Sequence, residues 1–370
     1  RNLGDTRYAT RLLGDFLARI YPEEGARHVF ARPGALTDRL RRGWGVQNLK
    51  KDPEGNRIND DRHHALDALV VAATTEGALI RLTKAFQEAE KIGAHRDFAR
   101  LDPPWPSFVE ETRKRLTTVF VSRAERRRAR GEAHAATIRQ VVEADGEQLV
   151  YERKSVDSLT ERDLERVKDS ERNVQLVSSL REWIVAGKPK DRRPLSPKGD
   201  PIGKVRLRTN KKADVLIRDG AAERGEMVRI DVFRKANKKG AWEYFLVPIY
   251  PHQVADMQTW PVPPNRAAQA YKPEDEWPQM TADYEFMWSV HPFSFIEVEK
   301  ADGTLIDGYF RGMNRSTGAI IVSPHQSREI VIEGIGARTL RGFHKSAVDR
   351  LGRRFPIPRE TRTWHGVVCT

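Results

Sequence analysis

The sequence nearly lacks cysteine. Its single thiol, Cys369, stands beside the C-terminus of a 370-residue chain. No disulfide framework and no cysteine-built zinc site can form within such a chain, which fits a reducing compartment. Long apolar runs are also missing. No stretch approaches the ~18 apolar residues of a membrane-spanning helix, and no secretory leader is read at the start. A membrane span and a disulfide-stapled scaffold are both excluded on these grounds. The chain opens on Arg1 and not on methionine, so it reads as a piece of a longer protein.

Negative charge is the other shortage. There are 52 acidic residues against 65 Lys and Arg, a net charge of +13. Such an excess points to a polyanionic partner, nucleic acid before an acidic membrane surface. The cations are clustered. Ala124–Gly131 reads AERRRARG, and between Ala186 and Arg218 eleven Lys or Arg face three Asp. Clustering favours a binding surface, although either run alone could be a solvated face.

The length predicts two or three domains. Apolar residues Leu3, Tyr8, Leu12, Leu13, Phe16, Leu17 and Ile20 recur at helical spacing, so residues 1–22 are predicted as a helix closed by Pro22. A short strand-like piece at His28–Ala31 and a turn at Pro33-Gly34 follow, and Thr37 is expected to cap a helix through Leu40. A polar stretch at 43–62 leads to an apolar helix from His63 to Gly77 and another over Ala78–Lys91. The segment LDPPWPSF, Leu101–Phe108, marks a boundary, with a further helix expected over 109–118.

Later the texture changes. Strands are predicted at Val119–Ser122 and Gln148–Tyr151, helices at Glu161–Asp169 and Val174–Ala186. Beyond a basic, proline-rich loop at Lys188–Pro201, strands dominate: Val205–Arg208, Val215–Arg218, Met227–Phe233, Tyr244–Tyr250, Phe293–Glu299, Ile306–Arg311, Ala319–Val322 and Glu329–Ile332. Asp219-Gly220, Lys239-Gly240 and Asp302-Gly303 supply turns. Short strands with frequent turns imply antiparallel sheets or a small barrel. Trp242, Trp260, Trp277 and Trp288 could stack on bases; such residues more often fill cores.

The chemistry lies in DDRHHALDALVVAA, Asp60–Ala73. His64 and Asp67 are three residues apart on one helix face, so both side chains can reach one point. The pair suits a magnesium-dependent phosphodiester hydrolase: the carboxylate holds a hard cation and the imidazole takes a proton from water. It equally suits a helix start capped by Asp60 or Asp61, with ordinary hydrogen bonds.

HHALDALVVA resembles the third RuvC motif of the type II CRISPR effector nucleases (Cas nine). RNLGDTRYATRLLGDFL at Arg1–Leu17 and VFARPGALTDRLRRGWGV at Val29–Val46 resemble the segments that lead into it. The resemblance implies that His64 is the catalytic histidine, Asp67 a metal-binding aspartate and His63 the non-catalytic neighbour. The cofactor implied is magnesium. The other carboxylates of that RNase H-like site lie upstream in the family, so the chain alone is expected not to cut DNA.

The likeness runs to the C-terminus and is greatest with the compact subtype C members. FVSRAERRRARGEAHAATI, Phe120–Ile138, resembles the opening of the wedge region, making Arg123, Arg126, Arg127 and Arg128 candidate RNA-binding residues. Met227–Asp256 and Gly308–Val322 resemble the domain that reads the PAM, the short duplex motif flanking the target. There Asn314, Thr317, Arg311 and Arg315 are the candidates. Asn314 is expected to read an adenine, since asparagine pairs with adenine N6 and N7; as a residue type at that spacing it also favours a turn. Ala319 stands where relatives carry a hydrogen-bonding side chain, so the PAM should differ from theirs.

The expected fold is α+β and multi-domain: a partial RNase H-like (RuvC) α/β region, then mainly antiparallel wedge and PAM-interacting domains. The expected divisions are 1–100, 101–225 and 226–370. The resemblance implies guide RNA (crRNA and tracrRNA) and target DNA as partners, a phage anti-CRISPR protein as an acidic competitor, no membrane, a monomeric effector and the bacterial cytoplasm. Two other readings stay open on the sequence: a fragment of a transposon-encoded RNase H-like nuclease, and a non-catalytic basic RNA-binding module.

Overall fold

The computed structural model describes residues 2–20, 29, 34–91, 101–128, 138–144, 147–196, 198–209, 215–217 and 220–369. The chain forms two compact units. The first is Arg1–Ser122 with Ser323–Val331 and Val348–Arg354; the second is Arg123–Val322, Ile332–Ala347 and Phe355–Thr370.

The first unit is helical where it is described. Helix α1, Asn2–Ile20, follows the predicted stripe. Tyr8, Leu12, Leu13, Phe16 and Ile20 of that stripe are each more than half exposed. Helix α2, Gly34–Gly43, starts before Thr37, which is buried within the helix and does not cap it. Helix α3, His63–Ala72, buries Leu66 and Val70, one turn apart. They pack with Leu40, Trp44 and Phe108. This helix stops short of the predicted Gly77. The Thr74 hydroxyl turns back to Val70 O at 2.6 Å, and Thr75 Oγ1 accepts the Ala78 N–H at 3.2 Å. These bonds help end one helix and start the next, α4, Glu76–Lys91. Helix α5 covers Phe108–Thr118. Phe108 is fully buried, its ring edge-on to Trp44 and Trp105.

The strand expected at Val119–Ser122 does not form. The Val121 N–H donates to His325 Nδ1 at 3.3 Å, and Phe120 stacks on the same imidazole. The described residues of 1–122 carry only an isolated bridge, Lys51 to Arg57. The predicted piece at His28–Ala31 and the turn at Pro33-Gly34 lie outside the described residues, apart from Val29 and Gly34.

The second unit is mostly antiparallel sheet. Strands β1 (Arg139–Ala144), β2 (Glu147–Ser155), β3 (Lys204–Thr209), β4 (Val215–Ile217) and β5 (Gly220–Ala222) form one sheet in the order β3-β2-β1-β5-β4. Strand β3 alternates strictly: Val205, Leu207 and Thr209 are buried, while Lys204, Arg206 and Arg208 are exposed. Its apolar face packs with helix α6, Val174–Val185, through Leu180 and Trp183.

The helix predicted over Glu161–Asp169 is a short 3-10 turn, Glu161–Arg166. Beyond it the Lys168 N–H bonds Arg206 O at 2.8 Å, so the segment joins the sheet edge instead of continuing as helix.

Strands β6 (Arg229–Ala236), β7 (Trp242–Ile249) and β8 (Glu285–Val290) make a three-stranded sheet in the order β7-β6-β8. Strands β9 (Phe295–Lys300), β10 (Leu305–Met313), β11 (Ala319–Ser323), β12 (Ile332–Gly336), β13 (Leu340–Val348) and β14 (Arg354–Ile357) follow in the order β12-β11-β10-β9-β13-β14. The main core joins the two sheets, with Val232 and Leu246 against Val298, Phe310 and Phe343.

The sheets are open, so sheets and not a closed barrel are what these strands build. Residues 329–331 are loop, not strand: Ser327 Oγ accepts the N–H groups of Glu329 and Ile330, holding a turn. Trp277 and Trp288 fill the core, whereas Trp242 is exposed beneath the Arg234 guanidinium at 4.1 Å. No described helix is long and apolar enough to cross a membrane.

Asp163 organises the 3-10 turn. Its side chain is almost wholly buried and accepts from Lys154 Nζ at 2.7 Å, the Thr160 N–H at 2.8 Å and the Thr160 hydroxyl at 2.9 Å. Arg166 completes the set. Burial alone would raise the carboxyl pKa, but these donors hold it far below the ordinary range. A depressed native pKa means the stabilisation is present above the unfolded value and lost as pH falls through the native one. Asp163→Ala should cost about 1–3 kcal/mol, since it removes buried hydrogen bonds while Lys154 and Arg166, both partly exposed, can be hydrated. Denaturant unfolding should show the loss at neutral pH, shrinking in strong acid.

Candidate nuclease site and nucleic-acid interface

Helix α3 starts where the chain turns back on itself. The Asp60 carboxylate accepts the Arg62 backbone N–H at 2.8 Å, just before the first helical turn. It also pairs with the Arg62 side chain at 2.5 Å. Burial would raise the Asp60 pKa, and the Arg62 bonds more than offset it, so the pKa is lowered.

His63 then points into the unit and is buried, while His64 is exposed. Asp67 lies one turn on. His64 and Asp67 both line a pocket of about 440 Å³, with Lys50, Asp60, His63 and Glu329 among its other walls. The helical spacing therefore brings the two expected residues to one cavity.

The partners of Asp67 carry no motif of their own. Lys50 Nζ donates to both carboxylate oxygens, at 2.8 and 2.9 Å. Arg41 Nη1 reaches Oδ1 at 2.5 Å. Burial opposes ionisation, but the Lys50 bond and the Arg41 charge outweigh it and lower the Asp67 pKa. The same Lys50 is nearly buried and acts on His63, whose pKa is lowered first by burial and then by that ammonium. Sequence reasoning misses both cations. The signal that could find them is the need of a half-buried carboxylate for counter-charge.

These residues do not by themselves fit a magnesium ion. Magnesium demands octahedral oxygen ligation. Here one carboxylate is already held by two cations, and no group of three metal-ligating side chains occurs among the described residues.

The second cluster is the arginine segment, residues 123–128, which has no regular secondary structure. The Arg123 N–H donates to Tyr309 Oη at 3.1 Å, and the Arg126 N–H to Pro292 O at 2.8 Å. The Arg123 and Arg126 guanidinium groups lie over the rings of Tyr309 and Phe293. Arg127 pairs with Glu125 at 2.8 Å and is largely exposed, as is Arg128.

The third is the β10–β11 turn. The Asn314 N–H bonds Ala319 O, and the Gly318 N–H bonds Asn314 O, both at 2.8 Å. Asn314 Oδ1 accepts the N–H groups of Ser316 and Thr317 at 3.0 and 3.1 Å. Both lone pairs of that oxygen are thus engaged in the turn, and the exposed amide nitrogen is the donor Asn314 offers outward. Thr317 Oγ1 accepts the Ala319 N–H at 3.3 Å. Arg315 borders a cavity of about 780 Å³ and stands 4.0 Å from Glu274, which also pairs with Arg224 at 2.6 Å. Arg311 lies over Phe293, the ring that Arg126 also covers. The residues expected to touch RNA and those expected to touch DNA therefore meet at one aromatic side chain.

Residues 1–130 match the family described as RuvC endonuclease subdomain 3. The CRISPR-associated endonuclease Cas9 of Campylobacter jejuni is 25% identical over 398 residues, covering 94% of this chain. Along almost its whole length the chain is similar to Cas9. It spans 34% of the length of that curated relative. Among solved structures, C. jejuni Cas9 in complex with sgRNA and target DNA (AGAAACA PAM) is similar over 91% of this chain and 34% of its own, with a TM-score of 0.52 and 20% identity. Streptococcus thermophilus Cas9 in complex with the AGAA PAM is similar over 100% and 38%, with a TM-score of 0.63 and 16% identity. These likenesses bear on fold, and they agree with the mixture of helices and antiparallel sheets.

The charge at Lys50 has a measurable consequence. Lys50→Met should raise the pKa values of both His63 and Asp67, since the ammonium depresses each. An NMR titration of the His63 imidazole should show its midpoint moving up. An unmoved midpoint would leave burial and the Arg57 charge as the causes.

Proposed function

We propose that this chain is the C-terminal portion of an RNA-guided DNA endonuclease of CRISPR antiviral defence, of subtype C. The observation that carries the reading is the RuvC subdomain match over residues 1–130, which contains His64 and Asp67 side by side on one pocket. In this reading 1–100 is the last part of the RuvC domain, 101–225 the linker and wedge, and 226–370 the PAM-interacting domain. The cut strand is the non-target strand. Asp67 is one ligand for magnesium in the full-length protein, with carboxylates from outside this chain, and His64 acts on the attacking water. Without those carboxylates the chain itself does not cut.

Arg123, Arg126, Arg127 and Arg128 bind the guide RNA, a crRNA and tracrRNA pair. The support is the exposure of Arg127 and Arg128 and the placement of Arg123 and Arg126 over aromatic rings, since guanidinium groups suit phosphate. Arg311 and Arg315 hold the target duplex by its backbone, and Asn314 and Thr317 face the PAM. With its oxygen engaged in the turn, Asn314 donates through its amide nitrogen to a groove acceptor such as purine N7. Bidentate pairing with adenine requires the turn to open. The net charge of +13 also suits an acidic, DNA-mimicking phage inhibitor. The protein works as a monomer in the bacterial cytoplasm.

Asp67→Asn in the full-length protein should abolish non-target-strand cleavage and leave target binding intact. A gel assay with each strand labelled separately checks this; full cutting by the variant would remove Asp67 from the site.

The PAM reading is tested by a binding selection from a randomised duplex library. A short fixed motif should be enriched, and Asn314→Ala should relax one of its positions by about 1 kcal/mol, the lower end for a base contact. Salt-sensitive binding without a motif would leave only a basic nucleic-acid surface.

A further inference from the structure

Lys345 lies in the middle of strand β13 with only 1% of its surface exposed. An ammonium so buried needs acceptors for its three protons. It finds Ser289 O at 2.8 Å, Glu360 Oε1 at 2.9 Å and Glu125 Oε1 at 3.1 Å. Glu125 is the one that belongs to the arginine segment. Its carboxyl, though mostly buried, is held at about 2 by the Lys345 charge and by bonds from Ser294 and Arg127. It is therefore ionised throughout the neutral range.

The Ser294 bond matters for a second reason. Ser294 Oγ donates to Glu125 at 2.7 Å and accepts the His291 N–H at 2.9 Å, closing the His291–Ser294 turn. Inside that turn Phe293 has a φ of 69°. This left-handed conformation is strained for a bulky side chain and persists only where neighbours impose it. Phe293 presents the ring over which Arg126, at 5.4 Å, and Arg311, at 5.2 Å, both lie. Glu125 thus holds the arginine segment from one side and the turn carrying Phe293 from the other.

We infer that Glu125 is a positioning residue: paired with Lys345, it docks residues 123–128 on the sheet so that Arg126 and Arg311 share Phe293 and form one site for a nucleic-acid phosphate. The inference rests on the nucleic-acid reading above and adds to it. The segment taken for RNA binding and the strand taken for DNA binding become a single phosphate-binding surface. An acidic residue in a basic segment is then required for anion binding instead of opposing it.

That inversion gives the test. Glu125→Gln removes a negative charge, so long-range electrostatics alone predicts tighter binding of any polyanion. Docking predicts the reverse. Binding of a fluorescein-labelled oligouridylate to the chain, followed by anisotropy across a salt series, should weaken about tenfold. The slope of log affinity against log salt should become shallower, by about 0.7 for each single-strand phosphate that the protein no longer neutralises.

Ser294→Ala removes one hydrogen bond and keeps both charges; it should weaken binding in the same direction by a smaller factor, and it decides the matter should the Gln variant not fold. Equal or tighter binding by the folded Glu125→Gln variant, or by Ser294→Ala in its place, overturns the positioning role. Arg126→Gln with Arg311→Gln separates the two layers. If this pair weakens binding while Glu125→Gln does not, the phosphate site stands and the docking fails. If the pair changes nothing, the shared phosphate site itself is wrong.

Discussion

The second unit depends on one buried ammonium. Lys345 draws together strand β8 through Ser289 O, the C-terminal stretch through Glu360, and the arginine segment through Glu125. Two of these three have no regular secondary structure where they meet Lys345. Single backbone bonds, from the Glu360 N–H to Met287 O and from the Arg126 N–H to Pro292 O, both at 2.8 Å, tie them down beside the charge. Ser289 extends the network: its N–H donates to Glu360 at 3.0 Å and its hydroxyl to Asp231 at 2.8 Å. Asp231, wholly buried, then takes Arg229 and Arg362 at 2.9 and 2.8 Å. Burying so many ions is costly in desolvation, and what such a network confers best is a specified arrangement.

A chain with a net charge of +13 has few acids to spare. Where they are placed is therefore informative. Asp163, Asp231 and Glu125 each hold two or more basic side chains against the structure. The basic side chains left outward, such as those of Lys204, Arg206 and Arg208 on β3, form continuous faces. The acids fix the scaffold and the surplus cations make the surface. This is how a strongly self-repelling composition becomes a folded protein with basic faces.

Much of this is legible from pattern, and the failures have physical causes. The alternation in KVRLRT and the stripe in LDALV point to β3 and α3 directly, because one face of each is buried and the other is wet. Strand β8, EFMWSV, escapes such a reading because most of it is buried on both faces and shows no alternation. Strand β13, LRGFHKSAV, escapes it because its buried Lys345 reads as a solvated residue. The same blind spot hides Lys50 and Arg41. His64 and Asp67 can be paired from their spacing alone, but the cations facing Asp67 come from two other segments, at sequence distances of 17 and 26. Periodicity sees one element at a time, whereas charge pairing acts between elements.

The contrast among the carboxylates bears on the proposed nuclease site. The side chains of Asp231 and Asp163 are 0% and 3% exposed, and their partners are fixed parts of the fold. Asp67 is also held by two cations, yet its side chain is 35% exposed and opens on a pocket shared with His64. A carboxylate meant only for structure gains from complete enclosure, since enclosure strengthens the pair once the desolvation cost is met. Asp67 is left with solvent on one side and positive charge on the other. It remains ionised, and one face stays open to an incoming ligand. The Lys50 and Arg41 pairs hold that charge without closing the pocket, which is what the metal-ligand role proposed for Asp67 requires.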